Sequence, residues 1–273
     1  MLYQIQPDQK ADLVLINCKV RTMNEKNAIA EALAIKDGKI LHVGSNSEIK
    51  ALTGSKSKII DCKGKLVLPG FIDNHTHFVY GGFQLMGINL RNAKSRSEFI
   101  SIIKEYAALN PSKWITGGDW DHEAWEEKAI PHKEMIDSVT NDTPVFVTRF
   151  DGHMGLANSK ALKLAGIDKS TPDPKGGTIV KDKTTGEPTG MLKDEAMNLV
   201  FKVIPPHTKE DKKKAILTAL KHASEMGITS IQDVSSIDEV TIYKEIEKEN
   251  ALTLRLYCRI PIEDYEYLLK NKI

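Results

Sequence analysis

The chain has 273 residues, 41% of them hydrophobic and 27% charged, with a formal net charge of +1. That suits one large or two ordinary soluble domains with an apolar core, and it leaves no basic field for nucleic acid. Apolar runs such as 11–18 and 65–72 are strand-sized and too short for a bilayer. The N-terminal stretch Met1–Asp8 lacks the charged and apolar blocks of a signal peptide. Cys18, Cys62 and Cys258 are odd in number and scattered, which points to free thiols in a reducing compartment. A cytoplasmic protein with neither nucleic-acid nor membrane partners is expected.

In chain order, 11–23 predicts two short strands broken at Asn17. Strands at 32–36 and 39–43 flank Asp37-Gly38, a two-residue hairpin signal because both positions tolerate positive φ. A helical turn at 47–52 and strands at 58–62 and 66–68 complete a small β segment, 1–65, which carries no chemistry. After Pro69-Gly70 an apolar strand runs from Gly70 to Phe78, and helical periodicity covers 97–109. A stretch dense in Gly, Asp and Trp extends from Trp114 to Trp125, a buried-type strand covers 144–148, and 171–189 is Pro- and Gly-rich loop with one hairpin near 178–180. An amphipathic helix at 211–226 stops at Gly227. A strand (228–233), a helix (237–249) and a strand (252–259) follow, the alternation of a parallel sheet with crossover helices.

The sharpest feature is His75-Thr76-His77. Residues i and i+2 of a strand face the same side, and two imidazoles so placed can hold one divalent ion at about 2.0–2.1 Å. The spacing is equally compatible with two hydrogen-bonded histidines in a strand-to-loop turn. The chain lacks the glycine-rich phosphate loops, the GxSxG elbow, the HExxH pattern and zinc-finger spacing.

The stretch Leu66-Val-Leu-Pro-Gly-Phe-Ile-Asp-Asn-His-Thr-His77 resembles the first barrel strand of the amidohydrolase superfamily, and the Asp37-Gly38 hairpin resembles the half β-sandwich that precedes that barrel. Trp114-Ile-Thr-Gly-Gly-Asp-Trp120, Arg149–Leu162, Gly186–Leu192 and Gly227–Asp233 follow in the order of amidohydrolase family 3, which includes YtcJ-like proteins and N-substituted formamide deformylases. The resemblance covers nearly the whole chain. It implies an α/β fold: a partial (β/α)8 TIM-type barrel over 66–273, with an insertion at about 80–205, after the β-sandwich segment. It also implies metal-dependent hydrolysis of carbon–nitrogen bonds other than peptide bonds, with one or two divalent ions, zinc foremost.

On that resemblance His75 and His77 are metal ligands, while His153, Asp119 and Trp120 are candidates for substrate binding. Each has a plainer alternative: a hydrogen-bonded loop histidine for His153, an ordinary packed aromatic cluster for Trp120. Asp73 is expected to steady the turn or orient a histidine. Asp233 sits at a strand end, where barrel sites collect residues, or caps the next helix. Glu195 is a weaker ligand candidate than a solvated helix face. The family's later ligands, a lysine, two histidines and an aspartate, find no match, since no histidine follows His222. The expectation is therefore a fragment of a longer enzyme, completed by further sequence, a second chain or self-association, acting on a small amide-type substrate. The rival expectation is a non-catalytic piece that packs or binds without turnover.

Overall fold

The computed structural model describes residues 10–26 and 28–271. The reading of Met1–Asp8 falls outside them. The chain separates into two compact units, 1–72 and 73–273, and the fold is α/β. No helix among the described residues is long and apolar enough to cross a membrane.

The first unit contains β1 (Ala11–Ile16), β2 (Lys19–Arg21), β3 (Ile29–Ala30), β4 (Ala32–Lys36), β5 (Lys39–Gly44), α1 (Asn46–Ala51), β6 (Thr53–Asp61) and β7 (Leu66–Val67). One sheet runs β5-β4-β1-β6 and a smaller one β3-β2-β7. Asn17 turns the chain between β1 and β2 with φ 54°, and Asp37 (φ 49°) and Gly38 (φ 71°) close the β4–β5 hairpin as their residue types demand. Asp12 fastens this hairpin, accepting from Lys36 Nζ at 2.6 Å and from the Asp37 N–H at 2.8 Å. α1 starts with a reciprocal Ser45–Glu48 capping box. Val14, Ala32, Ala34 and Ile49 form one core, and Cys18, Val20, Leu33 and Cys62 a second. Burial, together with the neighbouring Cys62, pushes the Cys18 thiol up to about 12, so it is an inert packing group.

Strand β8 (Phe71–Thr76) leads into the second unit. There follow α2 (Phe78–Met86), β9 (Ile88–Asn89), α3 (Arg96–Leu109), β10 (Ile115–Trp120), α4 (Glu134–Thr140), β11 (Val145–Arg149), β12 (Met154–Ala157), α5 (Ser159–Leu164), β13 (Gly177–Lys181) and β14 (Pro188–Asp194). The unit continues with α6 (Asn198–Phe201), α7 (Lys209–Glu225), β15 (Ile228–Val234), α8 (Ile237–Lys248), β16 (Arg255–Arg259) and α9 (Tyr265–Asn271).

Residues 88–194 build a mixed sheet of their own, ordered β13-β14-β12-β11-β10-β9. β9, β10 and β11 are parallel, and the remaining pairs antiparallel. Alternation along β11 feeds two cores. Val145 and Val147 join Phe99, Ile103, Trp120 and Trp125, whereas Phe146 joins Ala161, Leu162, Ile179 and Leu192 on the opposite side. The hairpin expected near 178–180 is longer than its sequence suggests, because Asp182 ties the intervening loop by accepting from the N–H groups of Thr184 and Thr185.

The other sheet of this unit runs β16-β15-β8. β15 and β16 pair in parallel from Ser230 opposite Arg255 to Val234 opposite Arg259, joined through α8. α7 begins two residues earlier than its apolar periodicity indicates, because Thr208 and Asp211 form a capping box. Ala215, Ile216, Leu220 and Ala223 of α7 pack with Val79 of α2, Ile231 of β15 and Ile242, Tyr243 and Ile246 of α8. α2 lies so close to α7 that a Cβ at Gly82 would stand 2.2 Å from the Ala215 carbonyl oxygen.

Candidate metal centre

His75 is the penultimate residue of β8, and His77 is the first residue beyond it and the N-cap of α2. Both side chains are exposed, with ring centroids 5.5 Å apart and planes at 72°. Two imidazoles binding one tetrahedral ion at about 2.0–2.1 Å would have centroids about 5 Å apart, so the pair fits two positions of such a site. Thr76 points the opposite way, as strand alternation requires, and its hydroxyl donates to Asp233 Oδ1 at 3.1 Å. Asp73 accepts the His75 N–H at 3.1 Å, so it steadies the backbone of the turn.

Arg259, at the end of β16, reaches across β15 to this edge. Its guanidinium lies 3.4 Å from His75 Nδ1 and donates to the Asn74 carbonyl at 3.0 Å and to Gln232 Oε1 at 2.8 Å. A cation at His75 would meet this positive charge. The His75 contact is long and exposed, whereas the bonds to Asn74 and Gln232 are of ordinary length. Among the described residues no three His, Cys, Asp or Glu side chains converge to hold a metal. The pair supplies part of a ligand set.

The other candidates lie elsewhere in the unit. β10 leaves its regular path at Gly117 (φ 80°), Gly118 (φ 98°) and Asp119 (φ 53°), and its register with β11 shifts there. This turn sends the Asp119 carboxylate to Arg91 at 2.8 Å and to Gln84 Nε2 at 3.1 Å. Arg91 lies over the Phe150 ring, 4.8 Å from its centroid. Asp119, Arg91, Gln84, Tyr80, Phe150 and Gly152 share an open cavity of about 310 Å³. Tyr80 and Gln84 belong to α2, one and two turns beyond His77, or about 5 and 10 Å along its axis.

Trp120 stays out of that cavity. It is fully buried beside Phe99, and its indole N–H donates to the Val147 carbonyl at 2.9 Å, so its side chain presents no surface to a substrate. The packed aromatic cluster weighed above is where the structure places it. His153 is exposed and donates from Nδ1 to Asp194 at 2.8 Å, which orients the ring and leaves Nε2 open. Glu195 accepts from Asn198 at 2.6 Å within its own turn and does not join His75 and His77 as a third ligand.

Sequence reasoning missed Arg259 and the cavity residues Tyr80, Gln84, Arg91 and Phe150. Only Arg259 had a readable signal, its place at the end of a strand.

The sequence profile of the amidohydrolase family, third branch, matches residues 58–271. The chain belongs to the amidohydrolase family. It is similar to the LONG AFTER FAR-RED 3 protein of Arabidopsis thaliana, 34% identical over 276 residues, covering 96% of this chain and 47% of that protein. It is also similar to the N-substituted formamide deformylase of Arthrobacter pascens, 33% identical over 195 residues, covering 70% of this chain and 36% of that enzyme. Its fold matches the crystal structure of a metal-dependent hydrolase of Pyrococcus horikoshii with TM-score 0.69 and 26% identity, covering 96% of this chain and 51% of that one. The chain thus spans about half the length, or less, of the relatives it matches.

Proposed function

We propose that this chain carries the two-histidine part of the metal centre of a hydrolase that cleaves amide-type carbon–nitrogen bonds other than peptide bonds. The observation that supports it is the convergence of the His75 and His77 rings, 5.5 Å apart at the end of β8. Zinc is the ion we assign. A bound divalent ion would supply an activated water and polarise the substrate carbonyl.

The chain's own side chains hold and orient. His75 and His77 are ligands, not acid or base. Substrate enters the cavity of Asp119, Arg91, Gln84 and Tyr80, where Phe150 offers an apolar face and paired polar groups fix direction. His153, oriented by Asp194, borders this region through Gly152 and contacts substrate with its open nitrogen. Trp120 supports from beneath by packing. In this reading β8, β15 and β16 are strands of a (β/α)8 barrel, 1–65 is the β-sandwich segment, and the ion's remaining ligands lie outside the described residues. The cellular setting is the cytoplasm, in keeping with three free thiols.

A second reading, binding or packing without turnover, is favoured by the ligand count, since a catalytic zinc usually takes three protein ligands. Zinc titration of this chain by calorimetry, followed by a screen of N-acyl and N-formyl amines, separates the possibilities. Weak zinc binding, abolished in both His75→Ala and His77→Ala, with no turnover by this chain alone, is the expected result. Binding unaffected by either substitution sinks the metal assignment. Turnover that disappears in His75→Ala would show the centre complete as it stands.

A further inference from the structure

The five helices α1, α3, α5, α7 and α8 begin in the ordinary way. Ser45, Ser95, Asn158, Thr208 and Ser236 each accept a first-turn N–H with their own side chain. α2 does not. Its N-cap is His77, whose side chain makes no capping bond, although the first N–H groups of any helix need acceptors. The acceptor comes from elsewhere: Asp233 Oδ1, 155 residues along the chain, takes the Phe78 N–H at 2.7 Å.

We propose that Asp233 is a positioning residue for the metal centre, its carboxylate capping α2 from the neighbouring strand so that His77 is held in place with its imidazole free to bind the ion. The same Oδ1 accepts the Thr76 hydroxyl at 3.1 Å, so one oxygen grips the residues on both sides of His77. Thr76 is also the residue between the two ligands, and fixing it fixes the alternation that turns both rings to one side.

The other oxygen is held from behind. Oδ2 accepts from Ser235 Oγ at 2.7 Å and from the Tyr243 hydroxyl at 2.9 Å. Asp233 is 1% exposed, and these four donors are all uncharged. A buried carboxylate without a cation is tolerated when its lone pairs are saturated in this way, and the saturation leaves it little freedom to move. Burial drives the Tyr243 hydroxyl well above the usual tyrosine range, with the Asp233 charge adding to it, so this donor stays protonated. Oδ1 is thus the end of the carboxylate that joins β15 to the β8–α2 junction, while Oδ2 is tied down to satisfy its burial. Ligand histidines are commonly oriented through their second ring nitrogen. Here the control is exerted through the backbone on either side of the ligand.

The inference rests on the metal reading of His75 and His77, and two mild substitutions separate it from that reading. Thr76→Val removes one donor to Oδ1 and keeps the side chain's shape. Tyr243→Phe removes one donor to Oδ2 and leaves the grip on Thr76 and Phe78 intact. Each leaves Asp233 with a partner on the oxygen affected, so both chains should fold. Zinc titration of the chain, with thermal unfolding run in parallel, is the measurement. The expectation is a several-fold loss of zinc affinity in Thr76→Val and an unchanged affinity in Tyr243→Phe, even though both lower the melting temperature. Equal effects of the two substitutions on affinity, or none from Thr76→Val, would overturn the positioning role while leaving the metal assignment standing. If the unsubstituted chain shows no zinc binding that His75→Ala removes, the metal assignment fails and the positioning role falls with it, a result distinct from the first.

Discussion

Strands β11 and β8 both belong to the second unit's sheets, and they are held in opposite ways. In β11, Val145, Phe146 and Val147 are each 0% exposed, and packing on both faces fixes them. In β8, Asp73, Asn74 and His75 are exposed, and what holds the strand's far end is polar: Asp233 beneath Thr76 and Phe78, Asp73 on the His75 N–H, Arg259 on the Asn74 carbonyl. The difference suits the two tasks. A dry, close-packed sheet is rigid but leaves no ligand at the solvent, whereas hydrogen bonds from behind can fix a backbone and keep its imidazoles open.

The largest test of that contrast is Trp120→Ala. Loss of a fully buried indole should cost about 3–5 kcal/mol in chemical denaturation, a cost far above that of any single substitution at the histidines. A loss of under about 1 kcal/mol would mean the sheet around Trp120 is not close-packed. Next comes Gly82→Ala. A methyl 2.2 Å from the Ala215 carbonyl must push α2 off α7, at about 1–3 kcal/mol, and it should disturb zinc binding as well because α2 starts at the ligand.

His75→Ala should reverse the pattern. With an exposed side chain, it should change stability by no more than about 0.5 kcal/mol while abolishing zinc binding in the same preparation. Arg259→Gln should be smaller still in stability. By removing a positive charge 3.4 Å from His75 Nδ1 it should tighten zinc about 3–10-fold, and weaker binding would show that Arg259 supports the site.

The smallest effect is spread across both units. Asp12, Glu48, Asp168, Asp182 and Asp211 are held below the usual carboxylate range, chiefly by hydrogen bonds from Lys36, Ser45, Ser170, the Thr185 N–H and Thr208 respectively. A folded value below the unfolded one stabilises at pH above the unfolded value, about 4, and that contribution disappears as pH falls through the depressed values. Melting temperature should therefore be flat from neutrality down to about pH 5 and fall below about pH 4. These groups are exposed, so the fall should be gradual.

Much of the site's local structure was legible. The Asp37-Gly38 turn, the break at Asn17 and the strand carrying His75 follow from turn chemistry and alternation, which act over a few residues. The strand expected to run to Phe78, however, stops at Thr76 and leaves His77 as the N-cap of α2. Trp120 was ambiguous because a tryptophan next to Gly-Gly-Asp reads equally as a pocket wall or a core residue. Its place depends on Phe99 and Val147, which no local pattern names. The cavity at Asp119 was hidden for a similar reason: it needs α2, the bulged end of β10 and Phe150 together.

Taken alone, the sequence determined most element types, the strand that leads to the two histidines and, through ordered motifs, membership of the amidohydrolase family. Those depend on side-chain periodicity and on short stretches read whole. Only the tertiary structure decided what stands behind and beside the ligands. Thr76 meets Asp233 across 157 residues, and His75 meets Arg259 across 184. Contacts at that separation depend on the order of strands β16-β15-β8 and on the packing of α7 and α8. Sequence spacing does not encode that order.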